Sequence, residues 1–188
     1  MKTQACCLLI IVLFLSGCST FVVPRVTTFE PTQEKFDKAA NVVISEEHLK
    51  EKEHVHFGLA GFLAPVSVRV GDTMVQHALS NFSNIFREVK LNDTSQPSPD
   101  SVTVQLETER FEVIGLSWHA TLDLKMRVLN SNDKNIFEKN YHVEGSRHSM
   151  LFNNEFEQQI HVKLTTEEAF IQVFSEITDD LRHLKLDD

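Results

Sequence analysis

The sequence predicts one α+β domain, an antiparallel sheet with two amphipathic helices packed on one face. Residues 116–128 alternate apolar and polar side chains, which is typical of a strand with one dry and one solvated face. Residues 72–89 and 165–184 carry apolar side chains at spacings of three and four, typical of amphipathic helices. The chain of 188 residues suits a single domain built around one core.

The beginning of the domain carries short signals. Residues 19–38 hold two prolines, several threonines and mixed charges, which is typical of a tether that approaches a domain. Apolar residues 42–44 predict a short buried strand within residues 39–45. The charged stretch 46–53 predicts one or two helical turns, and alternation over residues 54–59 predicts a second strand.

The first strong helix is predicted to open at Gly71-Asp72, where the Asp72 carboxylate can cap free backbone N–H groups. Its apolar stripe comprises Val75, Ala78, Leu79, Phe82, Ile85, Phe86 and Val89. The polar side chains predicted to face solvent are Gln76, His77, Asn81, Asn84 and Arg87. A loop with two prolines follows over residues 92–101.

Three strands are predicted after this loop. Residues 102–107 alternate, and residues 136–145 return after a turn at residues 130–135. Between them lies the longest alternating strand. Its apolar face holds Leu116, Trp118, Ala120, Leu122, Leu124, Met126 and Val128. Its polar face holds Ser117, His119, Thr121, Asp123, Lys125 and Arg127.

The last helix is predicted to begin at Thr165, since Glu168 stands three residues later and completes a capping box. Its apolar stripe comprises Phe170, Val173, Phe174, Ile177, Leu181 and Leu184. Burying such side chains stabilises a fold by roughly 1.5–3 kcal/mol each, so this helix must dock on another surface. The dry face of the sheet is the expected partner.

The N-terminus predicts an address. Lys2 precedes an apolar run at residues 5–15, the length of a signal-peptide core and too short for a membrane span. The run ends in Leu15-Ser16-Gly17-Cys18, which resembles the lipid-attachment box of bacterial lipoproteins. The resemblance implies cleavage before Cys18, acylation of Cys18 and, because residue 19 is Ser, transfer to the outer membrane. An uncleaved anchor and an ordinary secretory signal are the alternatives.

This division gives three parts: a signal peptide at residues 1–17, a lipidated Cys18 with its tether at residues 18–38, and a single periplasmic domain at residues 39–188. The formal charge of −9 becomes −10 once Lys2 leaves with the signal. An acidic surface disfavours nucleic acid as a partner, because phosphate neutralisation requires basic residues. Cys6, Cys7 and Cys18 are the chain's cysteines, so the mature domain has no free thiol for catalysis.

The arrangement resembles small envelope lipoproteins of Gram-negative bacteria, notably the YajG type. The shared features are the lipid-attachment box, a helix before the strands, a strand at residues 139–145 and a final amphipathic helix. The lipopolysaccharide-assembly lipoprotein LptE and auxiliary lipoproteins of lipid-transport systems have a similar plan. The resemblance implies an envelope role without an enzyme site and does not choose among these roles.

Three groups of residues invite a catalytic or metal interpretation, and each has a simpler one. His54 and His56 share a strand face and could bind zinc or copper, but no further ligands are evident and a solvated strand edge is favoured. Residues 146–149 pair serines with His148, yet no glycine elbow frames a nucleophile. Glu107 and Glu109 are interpreted as solvated charges. We therefore expect no enzyme activity, metal or cofactor.

Two apolar sets are candidate binding surfaces. Residues 150–164 form a long connection, and long connections are often functional. The candidate residues there are Met150, Leu151, Phe152 and Phe156, with burial in the core as the alternative. A lipid cavity between helices and sheet would be lined by Trp118, Phe82, Phe86 and Phe174. For Trp118, packing in the core is favoured.

We therefore expect a lipid-anchored outer-membrane lipoprotein that faces the periplasm. The expected role is a non-enzymatic accessory or binding subunit of an envelope assembly or transport system. Its expected partners are the membrane, through the anchor, and an envelope protein or lipid. The alternative is a lipid-binding or lipid-shuttling module, which needs a cavity of about 300–1,000 Å³.

Overall fold

A computed structural model describes residues 20–30, 35–55, 66–92, 100–114, 119–146, 155–184 and 186. The strands of this part are β1 Thr20–Val22, β2 Phe36–Ile44, β3 Lys52–Val55, β4 Val66–Arg69, β5 Phe86–Leu91, β6 Ser101–Ile114, β7 His119–Leu129 and β8 Asn135–Ser146. Its helices are α1 Glu46–Leu49, α2 Val70–Phe82 and α3 Glu155–His183. The fold is mixed α/β.

The strands form two sheets, so the prediction of one antiparallel sheet is wrong. The large sheet has the order β5-β2-β6-β7-β8, and the small sheet has the order β1-β4-β3. β2 runs parallel to both β5 and β6, whereas β6, β7 and β8 pair antiparallel. Between β2 and β5 the chain passes through α1, β3, β4 and α2, a crossover long enough to return in the same direction.

The boundaries of α2 differ from the prediction at both ends. The helix starts at Val70, directly after β4, and its N-cap Arg69 makes no side-chain cap hydrogen bond. Asp72 pairs with Arg69 at 3.3 Å instead of capping. The helix ends at Phe82, where the Ile85 N–H donates to the Phe82 carbonyl at 2.9 Å, and Phe86 begins β5.

The last helix starts ten residues earlier than predicted, at Glu155, so the capping box at Thr165 is wrong. Thr165 is fully buried inside α3, where the helix crosses β8. A Cβ on Gly145 would stand 2.7 Å from the Ala169 nitrogen and 2.7 Å from the Thr165 carbonyl oxygen. The absence of a side chain at Gly145 therefore permits this close approach of helix and strand.

The alternation predicted for the longest strand is confirmed for its described apolar face, but Thr121, predicted on the polar face, is buried as well, and the register of β6 shifts between Thr108 and Arg110. The apolar face of β7 is fully buried. On β6, the apolar side chains from Val102 to Leu106 are at most 2% exposed. The buried β7 side chains are Ala120, Leu122, Leu124, Met126 and Val128. The predicted turn also forms, with the Asn130 side-chain oxygen accepting from the Lys134 N–H at 3.1 Å.

Both longer helices pack on this buried face of the large sheet. Met74 of α2 accepts a hydrogen bond from the Thr108 hydroxyl of β6 at 3.7 Å. Phe170 of α3 packs on Phe111 of the same strand, with ring centroids 5.9 Å apart. Further along α3, the Tyr141 hydroxyl of β8 donates to Asp180 at 2.8 Å. The stripe predicted for α3 is buried as expected from Phe170 to Leu181.

Residues 23–30, here called the strap, lie across α2 and α3. The Phe29 N–H donates to the Asn81 side chain at 2.9 Å, and the Asn81 amide donates to the Thr27 carbonyl at 3.2 Å. The Arg25 N–H donates to Glu167 of α3. These hydrogen bonds hold the segment that follows β1 against both longer helices.

Candidate interaction surfaces

Several residues selected from the sequence lie outside the described part of the chain. They are Cys18, His56, Trp118, His148, Met150, Leu151 and Phe152. Phe156 belongs to the first turn of α3, but its side chain is also outside the described set. Lipidation at Cys18 and a binding surface at Met150, Leu151, Phe152 and Phe156 therefore stay predictions.

The phenylalanines proposed to line a lipid cavity are fully buried. Phe82 and Phe174 pack with ring centroids 6.2 Å apart, and Phe86 packs against Phe36 at 5.8 Å. Cavities of about 210 Å³ and 280 Å³ open on the surface elsewhere, with none of Phe82, Phe86 or Phe174 in their linings. Direct ring packing is what core side chains do, and it leaves these three rings little area for a ligand.

The interior holds a histidine that the sequence analysis placed on the solvent side. His77 of α2 is fully buried, and its ring stacks on Phe174 at 5.2 Å and on Phe170 at 5.7 Å. Neither of its ring nitrogens has a hydrogen-bond partner. Burial lowers the pKa of His77 to about 4. The Arg25 backbone raises this pKa, but its effect is smaller than that of burial. The imidazole is therefore neutral at pH 7 and serves as part of the core.

Asn81 was also predicted to face solvent and is buried. It lies one helical turn after His77. Its side-chain amide bonds to the strap and also donates a hydrogen bond to the His77 carbonyl oxygen at 3.0 Å. The signal that could have identified both residues is their spacing with Met74, Ala78 and Phe82, which widens the buried stripe of α2 beyond its apolar members.

On the outer face of the large sheet, opposite the buried face, oppositely charged side chains of neighbouring strands form ion pairs. Lys125 of β7 lies 2.7 Å from Glu138 of β8, and Arg127 lies 3.3 Å from the same carboxylate. Glu138 has a lowered pKa, first because of its hydrogen bond with Lys125. We call the surface around Lys125, Arg127 and Glu138 the large-sheet face. It combines both signs of charge and is accessible to a protein partner.

Two histidines extend the large-sheet face. His142 pairs with Asp123, and this contact, above all its hydrogen bond, raises the pKa of His142. His119 Nε2 lies 3.6 Å from Glu144, which also lies 3.6 Å from His142 Nε2. The two carboxylates contact opposite nitrogens of His142, so they do not converge on one point. Among the described residues, no group of three or more His, Cys, Asp or Glu side chains is placed to hold a metal ion.

The small sheet presents a different outer face. Here Phe21 of β1 is 42% exposed, with the Arg69 guanidinium 4.8 Å and the Lys52 ammonium 5.3 Å from its ring centroid. His54 was considered above as a metal ligand. Its Nδ1 shares a hydrogen bond with the buried Ser67 hydroxyl at 2.8 Å. The set Phe21, Lys52, His54, Ser67 and Arg69 is called the small-sheet patch below.

Among the remaining catalytic candidates, residues 147–149 lie outside the described part of the chain, so their interpretation stays a prediction. Glu107 and Glu109 are exposed on β6, in keeping with their interpretation as solvated charges.

None of the described helices combines the length and apolar character that a membrane crossing requires.

Comparisons with known proteins support the fold and do not identify a family. No protein-family model matches the chain, and no curated protein matches it. The crystal structure of an uncharacterized protein overlaps with a TM-score of 0.51 at 10% identity, covering 84% of this chain and 99% of that one. At this identity the overlap shows a common fold and transfers no residue roles.

The solved structures that overlap with lower scores include two lipoproteins. One is a "putative lipoprotein" from Caulobacter crescentus, with a TM-score of 0.30 at 15% identity over 47% of this chain and 73% of that one. The other is lipoprotein GNA1162 from Neisseria meningitidis, with a TM-score of 0.26 at 12% identity over 86% and 99%. These scores carry no argument about this chain, and the resemblance to YajG-type lipoproteins and LptE stays a prediction.

Proposed function

We propose that this chain is a lipid-anchored lipoprotein of the outer membrane whose periplasmic domain binds an envelope protein. The lipid-attachment box at Cys18, behind a short apolar run, supports the anchor, and Ser19 favours the outer membrane. Several acyl chains on one cysteine make a durable anchor, since each buried methylene contributes about 0.8 kcal/mol. The role is that of an accessory subunit in an envelope assembly or transport system.

The observation that carries the proposal is the attachment of the N-terminal segment to the folded domain. β1 starts two residues after Cys18 and pairs with β4 from Thr20 to Val22. The strap then continues across α2 and α3, where the Asn84 amide donates to the Phe29 carbonyl at 3.0 Å. A lipid on Cys18 would therefore hold the domain directly at the membrane surface.

Binding is favoured over catalysis because the large-sheet face offers an accessible surface of paired charges. Charge patterns of this kind give specificity and speed of encounter to a protein interface. Residues 150–152 with Phe156 are a second candidate surface. The lipid-binding alternative is less well supported, because Phe82, Phe86 and Phe174 pack into the core.

Replacing Cys18 by Ser tests the anchor. We expect the Cys18→Ser chain to lose its acyl mass and to leave the outer-membrane fraction, measured by mass spectrometry and density-gradient fractionation. The Cys7→Ala chain is the matched control, because Cys7 is removed with the signal peptide. A Cys18→Ser chain that still fractionates with the outer membrane would overturn the proposal.

Charge reversal on the large-sheet face tests the binding role. The lipidated protein is captured from solubilised envelopes with Lys125→Glu and Arg127→Glu together, and separately with Phe152→Asp and Phe156→Asp. One pair should abolish capture of a specific protein while circular dichroism stays unchanged. Capture that neither pair alters, or stoichiometric zinc or copper in the purified protein, would contradict a binding role on these surfaces.

A further inference from the structure

The small-sheet patch places an aromatic side chain and cationic groups on one face. Phe21 lies opposite Ser67, which lies opposite His54, and Arg69 lies opposite Lys52. Paired residues of neighbouring strands project to the same side of a sheet. The interleaving residues Val22, Val55, Val66 and Val68 are buried on the other side. The fold therefore builds this face from three short strands, with Phe21, Lys52, His54 and Arg69 exposed on it and Ser67 fully buried.

The strands contribute no carboxylate to this face in the described structure. Glu53 lies opposite the buried Val68 and belongs to the other face of the sheet. Asp72, in the first turn of α2, lies at the rim and pairs with Arg69 at 3.3 Å. This cationic face is notable in a mature chain whose formal charge is −10, with acidic residues spread over most of its length.

The patch also exposes apolar area. Phe21 is 42% exposed, and Val23, which directly follows β1, is 46% exposed. A shallow cavity of about 280 Å³ adjoins the patch and is lined by Leu49, Lys50, Glu51, Lys52, Arg69 and Asp72, so two carboxylates stand beside its three basic side chains. Apolar side chains such as Phe next to Lys and Arg are the composition of protein segments that lie in the membrane–water interface.

The covalent chain fixes how far the patch can be from the lipid anchor. Cys18 and Thr20 are two residues apart, and an extended chain spans at most about 3.3–3.6 Å per residue. The Cα atom of Cys18 therefore lies within about 7 Å of the Cα atom at the start of β1. Because Phe21 follows Thr20 in β1, an acylated Cys18 would hold the patch at the place where its acyl chains enter the membrane.

We propose that the small-sheet patch is a membrane-contact surface that binds anionic phospholipid headgroups. Phe21 and Val23 lie at the level of the headgroups, and Lys52 and Arg69 contact lipid phosphates. This inference rests on the proposed lipidation of Cys18. The consequence is that the domain is held in one orientation at the membrane by two contacts, the anchor and the patch.

The test uses the mature lipidated protein with Val23→Cys, which introduces a thiol that is not acylated and leaves Phe21 in place. The thiol carries an environment-sensitive fluorophore, and the protein is reconstituted in vesicles of phosphatidylethanolamine and phosphatidylglycerol. A label at Asn132→Cys is the control position. Asn132 lies in the turn between β7 and β8, beside the start of β2. The patch strand β3 follows the end of β2, so Asn132 and the patch lie towards opposite ends of β2.

We expect brominated lipids to quench the label at residue 23 by about twofold or more relative to the label at residue 132. Lys52→Glu with Arg69→Glu should reduce this quenching, whereas Lys90→Glu with Lys134→Glu, the same change of charge elsewhere, should not. Equal quenching at residues 23 and 132 overturns the proposal, and so does unchanged quenching after reversal of Lys52 and Arg69.

A second measurement separates this inference from the proposed function. Flotation of the vesicles and the mass of the protein report whether Cys18 carries lipid. Protein that is acylated and floats, but whose label at residue 23 is not quenched, overturns the membrane-contact surface and leaves the anchor intact. Protein without acyl mass that stays in solution overturns both.

Discussion

The two sheets treat their outer faces differently. On the large sheet, opposite charges pair between neighbouring strands, as Lys125 and Arg127 do with Glu138. On the small sheet, Lys52 and Arg69 lie over the ring of Phe21. Both sheets bury their other face, so the contrast arises outside the core.

This difference indicates that the sheets meet different surroundings. Ion pairs between strands leave a surface of nearly balanced charge, which suits water and a polar protein partner. Cations next to an exposed apolar ring suit the boundary between water and lipid headgroups. The following predictions test the parts that produce this contrast, beginning with the sheet that provides most of the core.

Leu124→Ala should have the largest effect, because Leu124 is fully buried on the large sheet. We expect the free energy of unfolding to fall by about 2–5 kcal/mol, the range for a buried leucine truncated to alanine. Chemical denaturation measures this change. Lys125→Ala is the control on the opposite face, where loss of a surface ion pair costs about 1 kcal/mol or less.

Equal effects of these two substitutions would contradict the assignment of faces. A shift of one residue in register exchanges the two sides of a strand, so this pair of substitutions detects such a shift. The contrast between a buried face and a charged outer face on the large sheet would then fail.

His77 should make the free energy of unfolding of the chain depend on pH. Its pKa is about 4 in the folded chain and 6.5 as a free side chain. Between these values the unfolded chain binds a proton that the folded chain does not, so stability falls as pH falls from 6.5 towards 4. The full contribution is about 3 kcal/mol, which denaturation at a series of pH values measures.

The matched variants are His77→Leu and His183→Gln. His77→Leu should flatten the pH dependence in this window, whereas His183→Gln should retain it, since the His183 side chain is 77% exposed. If His77→Leu and the parent chain have the same slope, the imidazole does not stay neutral in the folded core.

Asn81→Ala should produce the smallest change, and one that is confined to the strap. It removes the hydrogen bonds with Phe29 and Thr27, and loss of such buried bonds costs about 1–3 kcal/mol. Amide hydrogen exchange should accelerate at residues 25–30 and leave β7 protected. Asn140→Ala, at an exposed position on β8, is the control. Acceleration throughout the chain would show that the strap is not a separate unit of stability.

The long strands could be predicted from sequence, because alternation over many residues encodes which side chains face the core. The direction of β2 could not, because this strand was predicted from an apolar run of only three residues, 42–44, and a run this short does not show which way the neighbouring strands run. The end of α2 was missed for a related reason. Ile85 and Phe86 continue a helical spacing, yet both are buried, one in a turn and the other in β5.

The candidate surfaces divide in the same way. The lipid-attachment box is a contiguous motif, so Cys18 could be proposed from sequence alone. The small-sheet patch draws Phe21, Lys52 and Arg69 from strands of three or four residues, too short for any period to be visible. His77 was misplaced because hydropathy ranks it as polar, whereas its neutral ring stacks with Phe170 and Phe174.

The strap has a consequence for the order of folding. Its hydrogen-bond partners include Glu167 and Arg182, which are separated from Arg25 and Glu30 by 142 and 152 residues. Contacts between such distant positions form only after almost the whole chain is available, and they slow folding. A chain emerging N-terminus first must therefore leave its strap open until α3 has arrived. For a lipid-anchored protein, closure of the strap would be the event that brings a finished domain down onto its own anchor.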